Sequence, residues 1–173
     1  EVSEVPVFFV PWICEQNAEE FTRELSSSSA KLAWGHLELT GFYANKDYQC
    51  QHGTNPNIFS KFDRVFSGHF HKKNSSGNVT YLGNPYQLYW NDEGDVRGFH
   101  IFDFDEGQLS FIPNPYNMFA KVYIKDNTKV MYKNFKDTFV KLIIEDKQNP
   151  VKLQTIVDKL YDSGAFDIKV IEN

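Results

Sequence analysis

Cysteine is scarce in this chain: Cys14 and Cys50 are the only two among 173 residues. Two thiols cannot build a disulfide framework, so the expected home is a reducing, cytoplasmic one. No apolar run approaches the ~18–20 residues that a membrane-spanning helix needs. The longest, Val5 to Cys14, is interrupted by Pro6 and Pro11. Glu1 and Glu4 stand where a signal peptide would carry its basic residues, so no leader and no membrane contact are expected. Excess positive charge is also missing: the formal net charge is −5. That balance is uneven. Residues 1–113 carry 8 Lys and Arg against 15 Asp and Glu, and residues 114–173 carry 10 against 8. An acidic body suits a cation site, and a mildly basic tail suits a phosphate backbone. There is no internal repeat, and the only low-complexity stretch is Ser26–Ser29.

Hydrophobic residues make up 41% and aromatic residues 16%, enough for a packed core and too many for a disordered chain. The length suits one domain with a small appendage. Val5–Val10 reads as a buried strand with Pro6 at its start. Asn17 is a plausible N-cap for a helix carrying Glu19 and Glu20 in its first turn and Phe21 and Leu25 on its apolar side. Lys31–Trp34 reads as a short buried strand. Residues 41–57 read as a loop, Ile58–Phe62 as a short helix, Arg64–Ser67 as a strand, Lys72–Asn78 as a polar turn and Val79–Leu82 as a strand. Gly98–Phe104 and Gln108–Ile112 flank Asp105-Glu106-Gly107 as a β-hairpin. Pro113-Asn114-Pro115 interrupts both helix and strand and marks the boundary. Beyond it, strands over Phe119–Lys125 and Val140–Glu145, a helix opened by Asn149-Pro150 and closed by Gly164, and a strand over Phe166–Val170 make a β-β-α-β unit.

The chemistry concentrates at two glycine–histidine pairs. Val65-Phe66-Ser67-Gly68-His69-Phe70-His71 ends an apolar run in glycine and then places two imidazoles at i and i+2. On an extended backbone such residues share a face. Leu32-Ala33-Trp34 likewise ends in Gly35-His36. Imidazole is the commonest side-chain ligand for a transition metal, so His36, His69 and His71 form a candidate metal site. The bland alternatives are surface histidine for His52 and a structural ring for His100. Lys72 and Lys73 adjoin the motif and suit either phosphate contact or a solvated turn. Tyr86, Tyr89 and Trp90 suit either base stacking or packing, and Tyr86 is kept as a DNA-contact candidate.

Gly35-His36, Gly68-His69-Phe70-His71 and Gly83-Asn84-Pro85-Tyr86-Gln87 together resemble the last motifs of the calcineurin-like metallophosphoesterases. Within that family the chain looks like the SbcD-type DNA repair nucleases, phage recombination endonuclease subunits among them. The resemblance runs from about Val5 to Asn114 and includes Arg97-Gly98-Phe99-His100. It implies an α/β fold, part of a metallophosphoesterase β-sandwich with helices, over residues 1–113. Residues 114–173 would then be a small α+β capping domain that grips DNA. His36 and His69 would bind one metal and His71 the other, with Mn2+ the preferred ion and Mg2+ or Zn2+ the alternatives. The implied reaction is attack of metal-activated water on a DNA phosphodiester, as 3′-to-5′ exonuclease and single-strand endonuclease, in recombination and double-strand-break repair. The implied partners are DNA, an SbcC-like coiled-coil ATPase and a second copy of the chain. For a phage-encoded chain the compartment is the host cytoplasm.

The chain departs from the family in its first motifs. It has no Asp-x-His and no Gly-Asn-His, and Gly94-Asp95 comes after the histidines rather than before them. The family's bridging aspartate, asparagine ligand and general-acid histidine are therefore not found in this chain, and the chain alone is expected to be nearly inactive. The alternatives are another two-metal phosphodiesterase, acting on small nucleotides, and a non-catalytic DNA-binding or assembly module.

Overall fold

The computed structural model describes residues 4–125, 128–146 and 149–172. Among them the chain is mixed α/β and separates into two compact units. The first comprises the described residues up to Pro85 together with Val96–Asn114; the second comprises Tyr86–Asp95 and the described residues from Pro115 onward.

The first unit is built on a five-stranded sheet of β1 (Val7–Val10), β2 (Leu32–Gly35), β3 (Arg64–Ser67), β4 (Asn74–Ser76) and β5 (Val79–Tyr81), in the order β1-β2-β3-β5-β4. β1, β2, β3 and β5 run parallel, and β4 is antiparallel to β5 at the edge. Residues 72–78 are thus more than the polar turn the sequence suggests: Asn74–Ser76 pairs with β5, and only Gly77, at φ 57°, makes the reversal. Side chains alternate between the faces. Val10, Ala33, Val65 and Val79 enter a core with Phe21 of α1 (Ala18–Ser27) and with Phe59, Phe62 and Tyr81. Phe9, Trp34 and Phe66 occupy the opposite face. There Trp34 and Phe66 meet the hairpin of β6 (Gly98–Asp103) and β7 (Gln108–Pro113), with Phe66 and Phe102 ring centroids 5.2 Å apart and Trp34 and Phe104 5.9 Å apart.

Two local expectations are corrected. The helix expected at Ile58–Phe62 is a 3-10 turn over Pro56–Phe59, because Asn55 accepts from the Asn57 amide and Pro56 starts the turn one residue later. Asn17 precedes α1 but does not cap it with its side chain. Its Oδ1 accepts from the Cys14 amide at 2.9 Å and its Nδ2 donates to the Trp12 carbonyl at 2.8 Å, bracing the loop that leaves β1.

The second unit is a three-stranded parallel sheet in the order β10-β9-β8, from β8 (Phe119–Ile124), β9 (Phe139–Ile144) and β10 (Asp167–Glu172). Helix α2 (Pro150–Asp162) is capped by Asn149, which accepts from the Val151 amide at 2.9 Å. Its Ile156 and Leu160 join Val122, Ile124, Val140, Leu142 and Ile144 in a closed core. Gln87 ties the Tyr86–Asp95 segment to β8, accepting from the Met118 and Phe119 amides at 2.8 Å each. Among the described residues no helix is long and apolar enough to cross a membrane.

Candidate metal centre

In a parallel sheet every strand delivers its following loop to the same edge, which is where open α/β sheets commonly bind ligands. β1 is followed by Trp12, β2 by His36 and β3 by Gly68-His69. β2 and β3 pair with Gly35 opposite Ser67, and the Gly68 amide donates to the Gly35 carbonyl at 3.3 Å, so the two glycine–histidine pairs leave the sheet side by side. The rings of His36 and His69 then meet, with centroids 5.0 Å apart and His69 Nδ1 3.2 Å from His36 Nε2. The Trp12 ring lies 5.1 Å from His69 and 6.2 Å from His36.

Gly35 is required by close approach rather than by φ. A Cβ there would lie 2.9 Å from both the Val10 carbonyl oxygen and the Val10 Cβ, so a side chain would push β1 off β2. Buried polar groups clamp the loops. Ser67 Oγ accepts from the Leu37 amide at 2.9 Å. The Tyr81 hydroxyl donates to the Leu37 carbonyl at 2.8 Å and accepts from the Leu39 amide at 3.0 Å. Burial, above all, pushes the Tyr81 phenol well above its ordinary range, so it keeps its proton and remains a donor. The 69–71 loop is held in the same way: the Asn84 amide and the Arg97 guanidinium both donate to the His71 carbonyl. Gly83, at φ 73°, allows this approach, since a Cβ would come within 2.9 Å of that carbonyl oxygen.

Burial lowers the pKa of His69 below its ordinary value. The neighbouring His36 and, less strongly, His71 act in the same direction, and Glu38 opposes them. His69 is therefore held toward the neutral form, the one whose nitrogen lone pair binds a cation. The 3.2 Å contact is an N–H···N hydrogen bond between the rings, its donor set by the tautomer. Two nitrogens each about 2.1 Å from a shared cation in tetrahedral array lie about 3.4 Å apart, so a cation replacing that proton would need little movement of either ring. The donor set is incomplete for more. Among the described residues no group of three His, Cys, Asp or Glu side chains is arranged to hold a metal ion. His71 acts on His69 through its charge but is not drawn into such a group.

The remaining sequence candidates fall elsewhere. Lys73 Nζ sits 3.4 Å from the centroid of the Phe111 ring, and Lys72 Nζ lies 6.0 Å from that of Tyr43. Tyr86 belongs to the second unit, where it is exposed. The His100 ring lies tilted against Phe111 in the hairpin, with centroids 4.9 Å apart, and its Nδ1 is buried without a hydrogen-bond partner. Sequence reasoning gave no role to Trp12, Glu38, Ser67, Tyr81 or the buried Arg97. The available signals were an i, i+2 acid after His36 and polar residues at the last positions of apolar strands. A cavity of about 90 Å3 beside His36 is lined by Trp12, Ile13, Glu38, Gly53 and Thr54.

No protein-family model matches the chain. Over 155 residues, 89% of its length, the chain is 36% identical to Exonuclease subunit 1 of Enterobacteria phage T4. It spans about half, 45%, of that relative. The chain is thus similar to a phage nuclease subunit over nearly all of its own length.

Proposed function

We propose that this chain forms part of a metal-dependent DNA nuclease of the metallophosphoesterase, SbcD-like type, with His36 and His69 holding a divalent cation. The single observation that carries this reading is the pairing of the two imidazoles at 3.2 Å on the carboxyl edge of adjacent parallel strands. The likeness to a phage exonuclease subunit supports it. When bound, the cation, with Mn2+ the first choice, would activate water and neutralise charge on a phosphodiester. The residues of this chain prepare that task. Burial keeps His69 receptive, Ser67 and Tyr81 hold the His36 loop, and Asn84 and Arg97 hold the His69–His71 loop. His71 stands ready for a second cation once further ligands are supplied, because two cations at close range need bridging anions. Lys72, Lys73 and Tyr86 are the DNA contacts of this reading. The second unit acts as the cap, and a coiled-coil ATPase of the SbcC kind and a second copy complete the assembly for recombination and break repair.

Calorimetric titration of the 173-residue chain with Mn2+ tests this reading. One weakly bound ion is expected, with at least a tenfold loss of affinity in His36→Ala and in His69→Ala. Unchanged affinity in both variants would reject the site. DNA cleavage by the chain alone is expected at trace rates, and turnover at an ordinary enzyme rate would refute the incomplete donor set.

A further inference from the structure

Trp12 is not used by the cation reading, yet it forms the third side of the same corner. Trp12 is 47% exposed, so a face of its indole is open to a flat apolar group. One edge lies against His69 and His36, and it lines the small cavity beside His36. Its backbone is tied to Asn17: the Asn17 side chain donates to the Trp12 carbonyl and accepts from the Cys14 amide, and the Asn17 amide donates to the Cys14 carbonyl at 3.1 Å. An exposed aromatic on a braced loop costs little entropy to use as a contact surface. Any phosphate drawn to a cation at the imidazole pair would carry its nucleoside within reach of this ring.

We infer that Trp12 is a stacking platform for the base of the nucleotide whose phosphate is held at the His36–His69 pair, set by its position beside both imidazoles. The inference rests on the proposed function above and assigns it a substrate unit, a deoxynucleoside monophosphate moiety recognised by its π-face and therefore with little regard to sequence. Base–aromatic stacking of this kind tightens binding by about tenfold or more. Trp12 does not act on the reacting atoms; it positions the nucleotide.

The test uses the full chain with Mn2+ and two probes, dAMP and inorganic phosphate, with binding followed by calorimetry and by tryptophan emission. The chain is expected to bind dAMP about tenfold more tightly than phosphate, with quenching of the emission component that Trp12→Phe removes. Trp12→Ala should erase the preference for dAMP while leaving phosphate affinity in place, and Trp12→Phe should keep most of it. Equal affinity for the two probes, failure to bind either, or a Trp12→Ala variant that weakens phosphate as much as dAMP would overturn the assignment and leave the cation reading standing. A chain that binds no Mn2+ would reject the cation reading and this inference together.

Discussion

The two sheets of this protein treat their faces differently. In the second unit the buried face of β8, β9 and β10 is closed by one capped helix, with Leu142 and Leu160 fully buried. In the first unit only one face of the five-stranded sheet has a continuous core. The other bears Trp34 and Phe66 against a two-stranded hairpin, with a cavity of about 440 Å3 among Trp34, Phe66, His100, Phe102, Phe104 and Leu109, and Phe9 beside Trp34 is left 69% exposed. A two-stranded ribbon is too narrow to cover a five-stranded sheet. The lesson is that the α2 unit invests its apolar surface in stability, whereas the larger unit spends polar contacts on holding loops at one edge of its sheet. The two hydrophobic clusters share no residue, so each can be perturbed by itself.

The largest effect is expected where packing is closed. Leu160→Ala should destabilise the second unit by about 2–5 kcal/mol, as cavity-forming core changes do, and the checking measurement is urea unfolding. A loss below ~1 kcal/mol would show that this core is less closed than its burial implies. Next comes the loop clamp. Tyr81→Phe leaves the Leu39 amide unpaired in a buried site and the Leu37 carbonyl with only the Ser67 hydroxyl, 3.3 Å away, and should cost about 1–3 kcal/mol. If the clamp also positions His36, Mn2+ affinity should fall about tenfold or more, as on loss of outer-shell support. A stability change with unaltered Mn2+ binding would reduce Tyr81 to a core residue.

A smaller effect should come from pH. Burial first, and the charge of Lys73 second, hold the pKa of His100 below its ordinary 6.5. The unfolded chain therefore takes up this proton before the folded one does. The stability tied to the neutral ring is complete above about pH 6.5 and declines as the pH falls toward and through the lowered folded value. His100→Gln should flatten that acid-side decline, and Lys73→Met should raise the imidazole pKa part of the way back, as read by NMR titration. A titration at the ordinary value in the intact chain would break the comparison on the hairpin side. The smallest effect is expected at the open face itself: Phe9→Ser should change stability by less than about 0.5 kcal/mol while reducing self-association, measured by light scattering.

Much of the local structure was legible. Short apolar runs ending in glycine or proline marked β1, β2 and β3, the Asp105-Glu106-Gly107 turn marked the β6–β7 hairpin, and Asn149-Pro150 marked the start of α2. β4 was hidden because Asn74-Ser75-Ser76 has no apolar alternation; it is a strand only because β5 offers it an edge. Asn17 misled for a similar reason: the residue type suits a cap, but the Cys14 amide lay closer to its oxygen. At the site, the glycine–histidine spacing singled out both rings of the 3.2 Å pair. Nothing in that spacing could show that Trp12 would stand beside them, since residues 12, 36 and 69 come together only through the pairing of three parallel strands.

The order of residues by itself determined most of the strands, both α-helices and the two glycine–histidine pairs, because backbone preference and hydrophobic period act over a few neighbours. Which rings actually meet, which carbonyls are clamped and which indole stays open were decided by tertiary structure, because parallel pairing joins segments some thirty residues apart and burial sets the protonation of the groups it encloses.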